Sequence, residues 1–191
     1  MQNIYLARHG QTLFNVQHKI QGFCDSPLTT TGIQQAIAAR DHLKELEIQF
    51  DDAYASTSER ASDTLEILTD IPYKRLKELR EWHFGSYEGE GEHLNPPLPY
   101  NDFFVQFGGE SQQDLTKRIV SAISEIAKNS SGDNILIVSH GAAIANFYRH
   151  WEHTSNIKRI GKISNCSLFH YEFENDEFKL QSIIEHDLSS I

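Results

Sequence analysis

The sequence predicts an α/β fold: a three-layer α/β/α sandwich around a mainly parallel sheet. Three observations carry that prediction. Short apolar strand patterns alternate with helical patterns along most of the chain. One strand pattern, Ile135-Leu-Ile-Val138, is continuously apolar, as in strands covered on both faces. The intervening helices are about a dozen residues long, which suits crossovers between parallel strands.

The elements follow in order. Asn3–Arg8 reads as a strand, and the polar turn Gly10-Gln11-Thr12 leads to a helix over Leu13–Lys19. The loop Gln21–Thr31 holds Gly22, Asp25 and Pro27, after which Thr30 or Thr31 caps a helix running to about Leu46. Its apolar positions are Ile33, Ala36, Ile37, Ala39, Leu43 and Leu46. Asp52–Ser56 is a second strand, and Ser58–Leu68 a helix with Ala61, Leu65 and Leu68 on one face. Tyr73–Leu79 reads as a third strand or an extended segment. Ser111 starts a helix with Leu115, Ile119, Ala122, Ile123 and Ile126 at helical spacing. Asn134–Ser139 is the buried strand and Gly141–Trp151 the helix after it. Cys166–Phe173 and Glu177–Ile184, joined by Glu174-Asn175-Asp176, form a terminal antiparallel hairpin.

At 191 residues the chain suits a single domain. Its one candidate insertion, at about 88–110, is rich in loops and reads as a lid-like cover rather than a domain. It contains Pro96, Pro97, Pro99, Tyr100, Phe103 and Phe104. A hydrophobic fraction of 39% and a charged fraction of 23% describe an ordinary soluble protein. No apolar run approaches the roughly 18–20 residues of a membrane span. The N-terminus lacks a secretory pattern, so a cytoplasmic location is expected. Cys24 and Cys166 form no close pair and read as reduced thiols. A net charge of −10 argues against nucleic acid as a partner. Any anion site must then be a local concentration of positive charge.

Two strands end in histidine followed by glycine: Ile4-Tyr-Leu-Ala-Arg8-His9-Gly10 and Ile135-Leu-Ile-Val-Ser139-His140-Gly141. Ligands of open α/β sheets gather at such carboxyl ends, where helix N-termini also point. A single histidine there is commonly a hydrogen-bonded loop residue; the matched pair, one preceded by arginine, points to a site. Metal ligation is disfavoured because no H-x-H or H-E-x-x-H spacing accompanies the pair. His150 and His153 read as a solvated surface pair. Ser56 through Thr64 opens a helix at the same sheet edge and brings Arg60, which could hold phosphate oxygens with Arg8 or be a surface ion-pair residue.

These residues resemble the histidine phosphatase superfamily, also called phosphoglycerate-mutase-like. Arg8-His9-Gly10-Gln11-Thr12-Leu-Phe-Asn15 is similar to its R-H-G-x-T-x-x-N signature. Gln21-Gly22-Phe-Cys-Asp25-Ser26-Pro27-Leu28-Thr29, with Gly32 and Gln35-Ala36, resembles the continuation. The Ser56–Thr64 segment, Leu79-Arg80-Glu81 through Glu88-Gly89, Gly109-Glu110-Ser111 and Val138-Ser139-His140-Gly141 complete the set. The resemblance implies a metal-independent enzyme, without cofactor, acting on a small phosphate ester. It implies that His9 attacks phosphorus and becomes phosphorylated, and that Arg8, Arg60 and His140 bind the phosphoryl oxygens with help from Asn15. Gln21, Gly22 and Gly141 complete the expected phosphate site. Glu81 is implied as proton donor to the leaving alcohol and then as base for water, a role that needs a carboxyl able to hold its proton near neutral pH.

Members of this family are phosphatases or phosphoglycerate mutases. Mutases normally carry extra basic residues after the catalytic glutamate, whereas Glu81–Thr116 here contains no lysine or arginine. The chain is also shorter than the usual mutase, and both facts favour hydrolysis. The cover's prolines and aromatics suit an apolar, neutral or cationic leaving group, or else simply pack the cover onto the core. Lys19 and Ala145 stand where the family often has arginine. A non-catalytic binding module is the remaining reading, disfavoured because His9, Arg8, Arg60, His140 and Glu81 are all present.

Overall fold

A computed structural model describes residues 1–158 and 161–186. Six strands form one sheet in the order β3-β2-β4-β1-β5-β6. They are β1 (Gln2–Arg8), β2 (Asp52–Ser56), β3 (Tyr73–Leu76), β4 (Asn134–Ser139), β5 (Leu168–Glu174) and β6 (Glu177–Ile184). The pairs β3/β2, β2/β4 and β4/β1 are parallel, while β1/β5 and β5/β6 are antiparallel. The sheet is therefore mixed and mostly parallel, with the terminal hairpin added at one edge.

Strand alternation builds the two cores. Ile4 and Leu6 of β1, with Ile135 and Ile137 of β4, face α4 (Gln112–Asn129) and α5 (Gly141–Trp151). Tyr5, Ala7, Leu136 and Val138 face the opposite way, toward α2 (Thr30–Glu45) and α3 (Glu59–Leu68). A sheet with helices on both faces is the expected sandwich. No helix among the described residues is long and apolar enough to cross a membrane.

The boundaries differ from expectation where local hydrogen bonding outweighs pattern. The helix expected over Leu13–Lys19 is a single turn, α1 (Leu13–Val16). Thr12 and Asn15 close a capping box at its start, and Lys19 bridges to Gly91 instead of continuing the helix. Thr29, rather than Thr30 or Thr31, caps α2, through its hydroxyl to the Gly32 amide. The extended run from Tyr73 stops at Leu76, and Lys77–Leu79 forms a 3-10 turn. Cys166 has a positive φ of 59° and donates its amide to Arg8 O, so β5 starts only at Leu168.

Between Glu81 and Ser111 the chain forms three 3-10 turns, Gly85–Tyr87, Glu92–Leu94 and Val105–Phe107. Phe104 is fully buried, edge-on to Trp82, Phe84, Tyr100 and Phe103. Most of these aromatics thus pack the cover onto the α4–α5 core, the second of the two roles open to them.

Candidate active site

In the β1–β4 register Arg8 lies opposite Ser139, so the two strand-end histidines emerge side by side. Their rings are 5.2 Å apart, and both are buried. His9 Nδ1 lies 2.8 Å from Gly10 O, which fixes the tautomer with a proton on Nδ1 and a lone pair on Nε2. Arg60 Nε–H points at that lone pair from 3.3 Å. Burial, and then the charges of Arg60 and Arg8, hold His9 well below the ordinary histidine range. A neutral imidazole with an available nitrogen is a nucleophile.

His140 has the opposite arrangement. Its Nε2 lies 2.7 Å from Ser56 Oγ, an oxygen that also accepts the Ser58 amide. Its Nδ1 is buried without a hydrogen-bond partner. With the Ser56 hydroxyl donating to Nε2, Nδ1 carries the proton and can donate to an anion. Burial, and then the charges of Arg60 and Arg8, keep this ring neutral too.

The two arginines divide their work differently from the expected clamp. Arg60 is fully buried, and its terminal nitrogens are spent on the 22–25 loop: Nη1 on Cys24 O and Asp25 Oδ1, Nη2 on Gly22 O. Only Nε faces His9. Arg60 therefore grips the loop and leaves no open fork for phosphate, because carbonyls and a carboxylate closer in sequence to the loop have claimed it. Arg8 places Nη1 2.5 Å from Ile163 O and keeps Nε buried without a partner. A Cβ on Gly141 would come no nearer than 3.5 Å to Arg8 Nε, so this glycine lies directly over the guanidinium.

Glu81 sits at the N-terminus of α5. Its Oε1 accepts the Trp82 and Ala143 amides and its Oε2 the Ala142 amide. The Ala142 and Ala143 amides are thus occupied by this carboxylate, while Gly141 ahead of them lines the cavity. Arg118 on α4 fixes the segment by donating to Glu78 O, Arg80 O and Glu81 O while pairing with Glu110 at 2.7 Å. On the far side, Glu88 accepts the amides of Gly22, Phe23, Cys24 and Phe84. A Cβ on Gly22 would lie 2.1 Å from Trp82 O, so only glycine allows this close approach.

A cavity of about 310 Å³ joins these groups. Arg8, His9, Asn15, Gln21, Glu81 and Gly141 line it, with Glu92, Asn95 and Tyr100 from the cover. Gly22, Arg60 and His140 do not line it. The Gln21 amide is bonded to Thr12 and Ser26, and Asn15 Oδ1 to the Thr12 amide, which leaves Asn15 Nδ2 as the donor on that wall. Among the described residues no three histidine, cysteine, aspartate or glutamate side chains converge as a metal site.

Sequence reasoning did not bring Ser56, Arg118 or Lys162 to the site. Lys162 lines the cavity from the segment before β5, as does Lys19 from the first loop. Ser56 had a detectable signal in its position at a strand end two residues before an unpaired amide. Lys162 had none, being in irregular chain distant in sequence from every motif.

A family model described as Histidine phosphatase superfamily (branch 1) matches residues 4–186. The chain is 31% identical over 179 residues to a metal-independent phosphoserine phosphatase of Arabidopsis thaliana, covering 86% of this chain and 74% of that one. Phosphoglycerate mutase from Bacillus anthracis superposes with a TM-score of 0.84 at 25% identity, covering 98% of this chain and 94% of that one. Phosphoserine phosphatase from Entamoeba histolytica, in complex with 3-phosphoglyceric acid, gives 0.77 at 27% identity, covering 98% and 99%.

Proposed function

The chain belongs to the histidine phosphatase superfamily, and from that premise we propose that it is a metal-independent phosphatase of small phosphomonoesters working through phosphohistidine on His9. The observation that carries this reading is the neutral His9 Nε2, held beside two buried donors without partners, Arg8 Nε and His140 Nδ1. An incoming phosphoryl group supplies the acceptors those donors lack. The Nε2 lone pair attacks phosphorus, an N–P bond forms, and the bond to the alcohol oxygen breaks in line. Arg60 Nε, released from Nε2, turns to a phosphoryl oxygen as charge develops.

Glu81, at rest a carboxylate with three amide partners, takes the proton that a monoanionic phosphomonoester brings in and passes it to the departing oxygen. Its Oε2 has one amide partner and so retains a lone pair for that proton. The resulting carboxylate then takes a proton from water, whose oxygen attacks phosphorus as the N–P bond breaks. Orthophosphate leaves with the proton Glu81 took from water, and both residues return to their starting states. Arg118 and the α5 amides keep Glu81 in place through both steps.

Water is the preferred acceptor because the cover presents Glu92, Asn95 and Tyr100 to the cavity and no cation. Lys19, whose backbone bridges to Gly91 of the cover, and Lys162 also line the cavity and favour a second reading, a phosphoglycerate mutase holding a carboxylate-bearing ligand. Phosphate release from a panel of phosphorylated metabolites, set beside 2,3-bisphosphoglycerate-dependent conversion of 3- to 2-phosphoglycerate, separates the two. Efficient isomerisation with slow phosphate release would overturn hydrolysis. The unpaired thiols of Cys24 and Cys166 suit the reducing cytoplasm.

A further inference from the structure

A second cavity, of about 820 Å³, shares Tyr100, Ala142 and Ala145 with the catalytic one. The two spaces therefore meet across one face of α5. Beyond the shared wall, the second cavity is bounded by Trp82, Leu98, Pro99 and Thr116, and by Asn146 and Arg149 further along the helix. Ala142, Ala145, Asn146 and Arg149 are spaced i, i+3, i+4 and i+7, the spacing of a single helical face. At 1.5 Å per residue they span about 10 Å, room for a ring and its linker.

The start of that face is where the alcohol leaves. Ala142 donates its amide to Glu81 Oε2, the oxygen assigned to the departing proton. A leaving group at Glu81 thus faces Ala142 and then Ala145, whose methyl groups keep the way open. Its onward walls set the apolar faces of Trp82, Leu98 and Pro99 among polar side chains. Three of the polar side chains hold one another: Gln112 Nε2 and Arg149 Nη1 both donate to Asn146 Oδ1, and Asn146 Nδ2 donates to Ala142 O, while the Asp102 carboxylate adds negative charge to the lining. Such a surface accepts a neutral, ring-shaped group and offers little to a second anion.

Resting on the phosphatase reading, we propose that this second cavity is the leaving-group subsite, selecting phosphomonoesters whose alcohol carries a neutral ring. The test compares 2-phenylethyl phosphate with ethyl phosphate, which release similar primary alcohols. Wild-type kcat/KM is expected to favour the phenylethyl ester by about tenfold or more, the value of burying a phenyl ring. Ala145→Leu narrows the shared wall and Thr116→Leu fills the second cavity from α4. Each should bring the ratio of the two esters toward one; taking the ratio within each variant removes any general loss of activity. A wild-type ratio near one, or an unchanged ratio in either variant, overturns the subsite. If neither ester is hydrolysed the phosphatase reading fails separately. The same ratio, measured as affinity by calorimetry on His9→Ala and its double variants with Ala145→Leu and Thr116→Leu, then decides the subsite.

Discussion

The ends of β1 and β4 carry the same local pattern, strand–histidine–glycine, yet the two imidazoles are turned to opposite uses. His9 is tethered by Nδ1 to the carbonyl of its own neighbour and offers Nε2. His140 is tethered by Nε2 to a serine on β2 and offers Nδ1. Arg60 addresses only the first ring, through Nε. The glycines differ too. A Cβ on Gly10 would lie 2.6 Å from Gly32 O, so it serves close packing against α2, whereas Gly141 lies over the Arg8 guanidinium. Which ring nitrogen the tether leaves free separates a nucleophile from an anion donor.

Substitution at the two rings is the sharpest way to break that comparison. His9→Ala should lower kcat on a good phosphomonoester by about 10⁴-fold or more and abolish acid-labile phosphoprotein in a rapid-quench experiment. His140→Ala should cost on the order of 10²–10³-fold, the scale of losing one preorganised donor, while phosphoprotein still forms. Phosphoprotein surviving in His9→Ala but lost in His140→Ala would exchange the two roles.

Arg60→Lys probes the one contact that is not shared. A lysine cannot bridge Gly22 O, Cys24 O and Asp25 while donating to His9. We expect about 10²-fold lower kcat/KM together with a lower melting temperature, because the loop loses its anchor. A fall in activity with unchanged thermal stability would show that the loop contacts are idle. Ser56→Ala, which frees the tether of His140 and the Ser58 amide at the start of α3, should cost about fivefold in rate, the net worth of the His140 hydrogen bond. An unchanged rate would mean that His140 keeps its tautomer without help.

Both rings should act alike on stability. Each is buried neutral with its proton affinity held below the ordinary histidine range, first by burial and then by the arginines. Below about pH 6.5 the unfolded chain binds protons that the folded chain refuses. Stability contributed by these sites is thus present at neutral pH and falls as pH drops. The urea midpoint should decline between pH 7.5 and 5, and less steeply in His140→Asn. An equally steep decline in that variant would place the linkage elsewhere.

Much of this was legible in the chain. The bounds of β2, β4, α5 and β6 follow from pattern alone, since each is a continuous apolar or amphipathic run with clear punctuation. The pairing of His9 with His140 follows from two like strand ends and the parallel-sheet rule. Hydrogen-bond assignments were not legible. Nothing in the residue order says that Arg60 would be consumed by the Gly22–Asp25 loop, or that the Ala142 and Ala143 amides would hold Glu81. Those outcomes depend on distances between segments tens of residues apart, as does the arrival of Lys162.

The Glu88 carboxylate, with its four backbone amides, has a consequence for descent. It closes the mount of the reacting groups on one side, and the prolines and aromatics of the cover begin just past it. Mutation beyond Glu88 can reshape the walls around Tyr100 while leaving His9, Arg60 and the 22–25 loop in register. New substrates are then open to a lineage without renegotiating its chemistry, as a fixed chuck accepts different bits.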